Sequence, residues 1–128
     1  MMLQLLDIAC FVLHTLLIAF NIVGWAWRRT RLPHLICFGL TAVSWFLLGA
    51  WYGWGYCICA DWHFQIRREL GHADVDSSYV QLLSRHVCGL PLSRDAADWI
   101  AGIVFVLIAV ATAIIWTRTW FQGERRAD

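Results

Sequence analysis

The chain has 128 residues, 60% of them hydrophobic, with a mean hydropathy of +0.59 and a formal net charge of +1. A water-soluble domain of this size is nearer half apolar, so the composition predicts a small integral membrane protein, and the near-zero charge excludes the basic field of a nucleic-acid binder. All ten basic residues are Arg, and the nine Trp are expected to gather at membrane–water boundaries.

The first apolar run covers about residues 3–27, with Gln4, Asp7, His14, Thr15 and Asn21 as its polar interruptions. A bilayer-spanning helix needs about 20 apolar residues, which this run supplies. It lacks the marks of a cleavable signal: no basic residues precede it, it is too long, and Arg28, Arg29 and Arg31 follow it instead. After Pro33 a second run, about 34–59, contains no charged residue and ends in the aromatic stretch "GAWYGWGYC". Gly49, Gly53 and Gly55 in it suit close helix approach. The third run is about 97–120, with Ser93 as N-cap, acids in its first turn, and Trp99, Trp116 and Trp120 as interface anchors.

Between the second and third runs lies a polar segment, about 61–94, that reads as two short amphipathic helices. Asp61 is the expected cap of one from Trp62 to Leu70, stopped by Gly71, with Trp62, Ile66 and Leu70 on its apolar face. Asp76 or Ser77 is the expected cap of another from about Ser78 to Cys88. Its apolar face carries Tyr79, Leu82, Leu83, His86 and Val87. The fold class is therefore all-α integral membrane, a single domain over 1–128 with three transmembrane helices.

Orientation follows from charge. Arg28, Arg29 and Arg31 in the first short loop and Arg118, Arg125 and Arg126 in the tail fall on one side of a three-span protein. The positive-inside rule makes that side cytoplasmic, with the N-terminus and the amphipathic segment outside. Arg67, Arg68, Arg85 and Arg94 in the middle segment oppose this assignment, accompanied by acids that count little in the rule.

The stretch "WGYCICADWHFQIRR" carries the chemistry-bearing residues. A disulfide from Cys57 or Cys59 to Cys88 would pin the second amphipathic helix to the end of span two. Buried thiols acting as small apolar groups are the other plain reading. Cys57, Cys59 and His63 as C-x-C-x3-H, joined by Cys88 or His86, could instead ligate copper or zinc. That spacing matches no standard zinc module and ranks behind the other two. His14 could join a haem shared with another subunit. Within one chain its partner would be His34, which belongs at a different depth. A hydrogen bond between helices explains His14 more simply. Asp7, shallow in span one, is expected to form an ion pair with Arg67 or Arg68, and Asn21 to make an interhelical contact. His63 is expected to hold the cap together by bonding a carbonyl at the end of span two or by meeting Asp7.

At "GWGYCICADWHFQIRRELG" the sequence resembles domain-of-unknown-function family 2784, small bacterial membrane proteins. The resemblance rests on His14, on Gly53, Trp54, Gly55, Tyr56 and Cys57, on Asp61, Trp62 and His63, and on Arg67, Leu70 and Gly71. Ser78 and Tyr79 resemble the start of that family's next helix. Where those proteins carry Pro-Leu-Thr, this chain has Ile58, Cys59 and Ala60. The resemblance implies a fold and a bacterial inner membrane, and no activity.

With so little polar chain outside the apolar runs, an independent enzyme is not expected. The favoured reading is an accessory or scaffold subunit of a larger inner-membrane complex, respiratory or transport-related, contacting lipid and other subunits or a second copy. The alternatives are a metal- or haem-linked redox protein and a lipid-binding module using the outer aromatic groove.

Overall fold

The computed structural model describes residues 1–72 and 76–124. Among these it is all helical: α1 (Met2–Val23), α2 (Arg31–Tyr52), α3 (Ile58–Glu69), α4 (Tyr79–Cys88) and α5 (Arg94–Glu124). Helices α1, α2 and α5 are each long and apolar enough to cross a bilayer. Helices α3 and α4 are too short for that and form a cap over one end of the three-helix bundle, α3 packing chiefly on α1 and α4 on α5. Arg125 and Arg126, used above for orientation, lie outside the described residues.

Helix α1 stops at Val23, short of the expected Trp27, because side chains of the following turn take over its last carbonyls. Trp25 Nε1 donates to Ile22 O (2.6 Å), Thr30 Oγ1 to Gly24 O (2.7 Å), and His34 Nε2 to Asn21 O (3.0 Å). A Cβ on Gly24 would come within 2.6 Å of Phe20 O and 3.1 Å of His34 Cβ, so only glycine lets α2 approach here.

Helix α2 begins at Arg31, ahead of the expected start, and runs through Pro33. In the first turn of a helix proline lacks only an N–H that has no intrahelical partner. Ser44–Leu48 is a π-helical turn whose Ser44 Oγ donates to Tyr56 O (2.9 Å), fastening the exit loop back onto α2. The helix ends at Tyr52 rather than Cys59. Gly53 and Gly55 have φ of +107° and +77°, so they reverse the chain instead of serving helix–helix approach.

Two further expectations are corrected in the cap. Helix α3 starts at Ile58, a turn earlier than expected, with extended Cys57 at its N-cap position. Asp61 therefore lies inside the first turn, where its carboxylate accepts from Tyr56 (3.2 Å) and Gln65 (2.8 Å). The buried face of α3 is also rotated from the Trp62–Ile66–Leu70 stripe: Trp62 is 67% exposed and His63 is 0%. In α4 the cap is Ser78, one residue after the expected pair, in a capping box with Gln81. Tyr79 and Leu82 are buried as expected, whereas His86 and Val87 are exposed. Ser93 caps α5 as expected, accepting from Ala96 N (3.2 Å).

The bundle interior is aromatic. His34, fully buried, stacks on Phe38 (6°, 5.9 Å between centroids). Phe38 and Trp45 of α2 then meet Phe105 of α5 at 4.8 and 4.9 Å.

Candidate functional site

One face of α1 carries Asp7, Phe11, His14 and Asn21, and each meets a different neighbour. At the capped end His63 donates through Nε2–H to Asp7 Oδ1 at 2.7 Å. An ionised carboxylate can only accept, which fixes the tautomer. Arg67 Nη1 lies 3.5 Å from the same oxygen. His63 is fully enclosed and Asp7 and Arg67 nearly so, at 19% and 11% side-chain exposure. Of the two expected partners for His63 and for Asp7, the structure selects Asp7 and Arg67.

A histidine held by a carboxylate has the form of a base and its orienting group. His63 Nδ1 is buried and has no hydrogen-bond partner among the described residues. Phe11, Phe64 and Tyr79 ring it, with centroids at 6.4, 6.3 and 6.0 Å. The arrangement serves as a buried polar staple between α1 and α3.

Tyr79 forms the next layer. Its hydroxyl donates to Phe11 O (2.8 Å) and lies 3.0 Å from Thr15 Oγ1, and its ring sits 3.9 Å from that of His14. Burial pushes the Tyr79 hydroxyl pKa above its ordinary value, only partly offset by the Thr15 contact. Tyr79 was legible as an apolar position of α4. Its polar role was not, since nothing in the chain around it marks Phe11 O as the acceptor.

Beneath this layer lies a partly open cavity of about 290 Å³ lined by residues of α1, α2, α4 and α5 together with Cys57 and Ala60 at the start of α3. Its walls are apolar and aromatic, among them Leu17, Phe38, Trp45 and Phe105, and no acid or arginine lines it. His14 and Asn21 reach into it, each 6% exposed. Asn21 Nδ2 donates to Leu17 O (3.0 Å) and lies 3.5 Å from both Cys37 Sγ and Thr41 Oγ1 of α2, the expected interhelical contact. The carbonyl acceptor at 3.0 Å fixes which end of the amide is nitrogen. Asn21 Oδ1 and His14 Nδ1 are left buried without partners.

The five cysteines are free thiols, which corrects the expected disulfide. Cys57 lines the cavity, and burial raises its thiol pKa above 9.0 against the lowering effect of backbone bonds from Ala60 and Cys59. Cys59 and Cys88 are exposed. Among the described residues no three His, Cys, Asp or Glu side chains gather to hold a metal ion, so the C-x-C-x3-H spacing does not close into a copper or zinc site. His63 is committed to Asp7, and His86 Nδ1 to Leu82 O at 3.0 Å. His34 Nε2 is committed to Asn21 O at 3.0 Å.

On the outer surface Trp54 and Trp99 flank an open groove of about 720 Å³ that also involves Phe46, Gly102, Ile103 and Val106. Asp95 and Asp98 stand at its end.

A family model described as "Protein of Unknown function (DUF2784)" matches residues 4–118. The chain belongs to this family. The match runs from the first turn of α1 almost to the end of α5 and includes the Asp7–His63–Arg67 staple, Tyr79, and His14 and Asn21 of the cavity. No curated protein and no solved structure matches the chain.

Proposed function

We propose that this DUF2784 protein is a membrane-embedded accessory subunit that performs no chemistry of its own and packs against a transmembrane helix of a larger complex. The observation that carries this reading is the Trp54–Trp99 groove. Trp54, Trp99, Ile103 and Val106 on it are all more than half exposed. Its floor includes Gly102, where a Cβ would meet nothing within 4 Å. A small residue between large apolar ridges is how helices approach one another in lipid, where packing rather than hydrophobicity drives association. Asp95 and Asp98 at the groove's end suit a partner helix carrying Arg or Lys at its interfacial end. The Arg94–Asp98 contact, at 3.8 Å and 70% and 45% exposed, competes little with that pairing.

The membrane is the bacterial inner membrane in this reading, with the N-terminus and cap outside and the Arg28–Arg31 loop inside. The test uses Gly102→Trp, which fills the groove without entering the bundle. The variant should fold and melt like the native protein, lose its co-purifying partner in mild detergent, and abolish photocrosslinking from position 103 to a partner's transmembrane segment. Undisturbed co-purification and crosslinking would overturn the reading.

A further inference from the structure

We propose that the turn joining α1 and α2, with the exposed end of α5 at the same end of the bundle, is a docking surface for the headgroup of an anionic phospholipid. The inference is independent of the accessory-subunit reading, which rests on a groove near the other, capped end. It holds whichever side of the membrane the turn faces.

The turn is fixed by its own hydrogen bonds. Thr30 N donates to Trp27 O (3.1 Å), closing a four-residue turn with Arg28 and Arg29 as its two corner residues. On the α1 side, Ala26 N donates to Val23 O (3.0 Å), Thr30 Oγ1 to Gly24 O (2.7 Å) and Trp25 Nε1 to Ile22 O (2.6 Å). Arg28 and Arg29 are exposed on this corner. Arg31 is half-buried at the start of α2, its Nε 3.4 Å from Trp25 O. Arg118 is exposed near the far end of α5, which runs away from the cap. Because the backbone of the turn is already ordered, little of its freedom is left to lose when a ligand meets these guanidiniums.

No countercharge answers them. The sequence has no acid between Asp7 and Asp61, and none between Asp98 and Glu124. The first turn of α2 contains no acid. Among the described residues the ion pairs stand at the capped end: Asp7 with His63 and Arg67, Asp76 with Arg85, and Arg94 with Asp98. Arg28, Arg29, Arg31 and Arg118 therefore set up a positive field that the fold leaves open. The positive-inside rule accounts for where such arginines end up after insertion. The structure adds that Arg28 and Arg29 end up adjacent, on an ordered turn, and unpaired.

Depth and charge select the ligand. Trp25 and Trp27, the latter 59% exposed, belong to the same turn, where two helices of membrane-spanning length meet. Tryptophan at such a boundary settles at headgroup level, the depth of lipid phosphates. A guanidinium meets a phosphate through paired, charge-assisted N–H···O bonds. A zwitterionic head also presents a phosphate, but its ammonium is repelled by an uncompensated arginine cluster, so the patch selects a lipid with net negative charge. Free phosphate shares the anion chemistry. The amphipathic tryptophan rings favour the lipid, because they offer apolar surface to the glycerol and first methylenes beside the headgroup.

The test places the full chain in phosphatidylcholine bilayers with a trace of spin-labelled phosphatidylglycerol or spin-labelled phosphatidylcholine. Electron spin resonance then measures the fraction of each lipid immobilised at the protein. The native chain should prefer phosphatidylglycerol by at least about fivefold, the effect of one arginine at an anionic headgroup, and 0.5 M sodium chloride, roughly halving the physiological screening length, should reduce that preference. Arg28→Gln/Arg29→Gln should lower it by about fivefold or more with unchanged melting, because neither side chain holds the fold together. Arg68→Gln/Arg94→Gln removes the same charge from the cap and should leave the preference intact. Inorganic phosphate, substituted for chloride at equal ionic strength, should not displace the labelled lipid. No preference in the native chain, an equal loss in the cap variant, or an unchanged preference in Arg28→Gln/Arg29→Gln would overturn the proposal. Displacement by inorganic phosphate would overturn it too, by assigning the patch to a soluble anion.

Discussion

Replacing His63 tests the polar staple most directly. His63→Leu keeps a side chain of similar bulk in a fully enclosed position and removes the donor that lies 2.7 Å from Asp7. A hydrogen bond to a charged group contributes about 1.5–3 kcal/mol. Asp7 keeps Arg67 at 3.5 Å and some access to water at 19% exposure, which places the expected loss near the middle of that range, about 2 kcal/mol. His63→Gln retains an N–H donor on a side chain of comparable reach and should lose less than about 1 kcal/mol. Asp7→Leu is the harsher change, about 3 kcal/mol, because it strands His63 and deprives Arg67 of a carboxylate inside the cap. The double variant Asp7→Leu/His63→Leu removes both partners together, so its cost should fall below the sum of the singles by about 1–2 kcal/mol. The assay is reversible unfolding in mixed micelles followed by circular dichroism. Additive single costs, or identical losses in the Leu and Gln variants at position 63, would show that the contact does not hold the cap. Complete loss of function in both variants, with unchanged melting and undisturbed co-purification, would assign His63 a chemical role instead.

Alkylation of unreduced and reduced protein should label the same number of cysteines, with Cys57 reacting more slowly than Cys59 because its thiol is buried and its pKa raised; a reductant-dependent gain would restore the disulfide. The raised pKa values of Cys57 and Tyr79 mean that the folded state favours their neutral forms. Their contribution is fully present below the ordinary thiol value of 9.0 and is lost as pH rises through the folded values, so the melting temperature should fall between pH 8 and about 11. His34→Phe keeps the stack on Phe38 but frees the Asn21 carbonyl, which should cost about 1 kcal/mol in the same unfolding assay. A reporter fused after residue 128 should be active only in the cytoplasm, and activity outside would reverse the proposed orientation.

The three spans were legible because an apolar run of this length has few alternatives, and Ser93 as a cap because its position before a charged first turn is a local signal. Their ends were less so. Hydropathy cannot register that His34 and Thr30 finish α1 from across a loop, or that Gly53 reverses the chain while the residues after it stay apolar. The same limit explains Asp61. Its residue type suits a cap, but the backbone had already become helical at Ile58. The Ser78-x-x-Gln81 box was present in the sequence as a capping motif and outranked Asp76, which pairs with Arg85 at 2.9 Å. The buried face of α3 was misread for a physical reason. In a cap that rests on a membrane bundle, a tryptophan gains by facing outward toward the interface, while a histidine with a carboxylate partner can go inside.

The polar residues of α1 explain why the bundle has one arrangement rather than several. Leucine-rich helices in lipid gain little by choosing one apolar neighbour over another, so specificity must come from polar contacts and close packing. Asp7, His14 and Asn21 recur every seven residues, a spacing that drifts only about 20° per step around a straight helix and keeps all three on one stripe. Each is answered by a different element: Asp7 by His63 of α3, His14 by the Tyr79 ring of α4, and Asn21 by Cys37 and Thr41 of α2. Rotating α1 by a quarter turn would strand all three at once. A one-turn slide along its axis would offer Asp7 to the aromatic layer and His14 to the lipid-depth interior, each without its present partner. The stripe therefore sets both the rotation and the register of α1 against the other helices. Asn21 spends its amide nitrogen on α1 and α2, which leaves its oxygen buried without a partner.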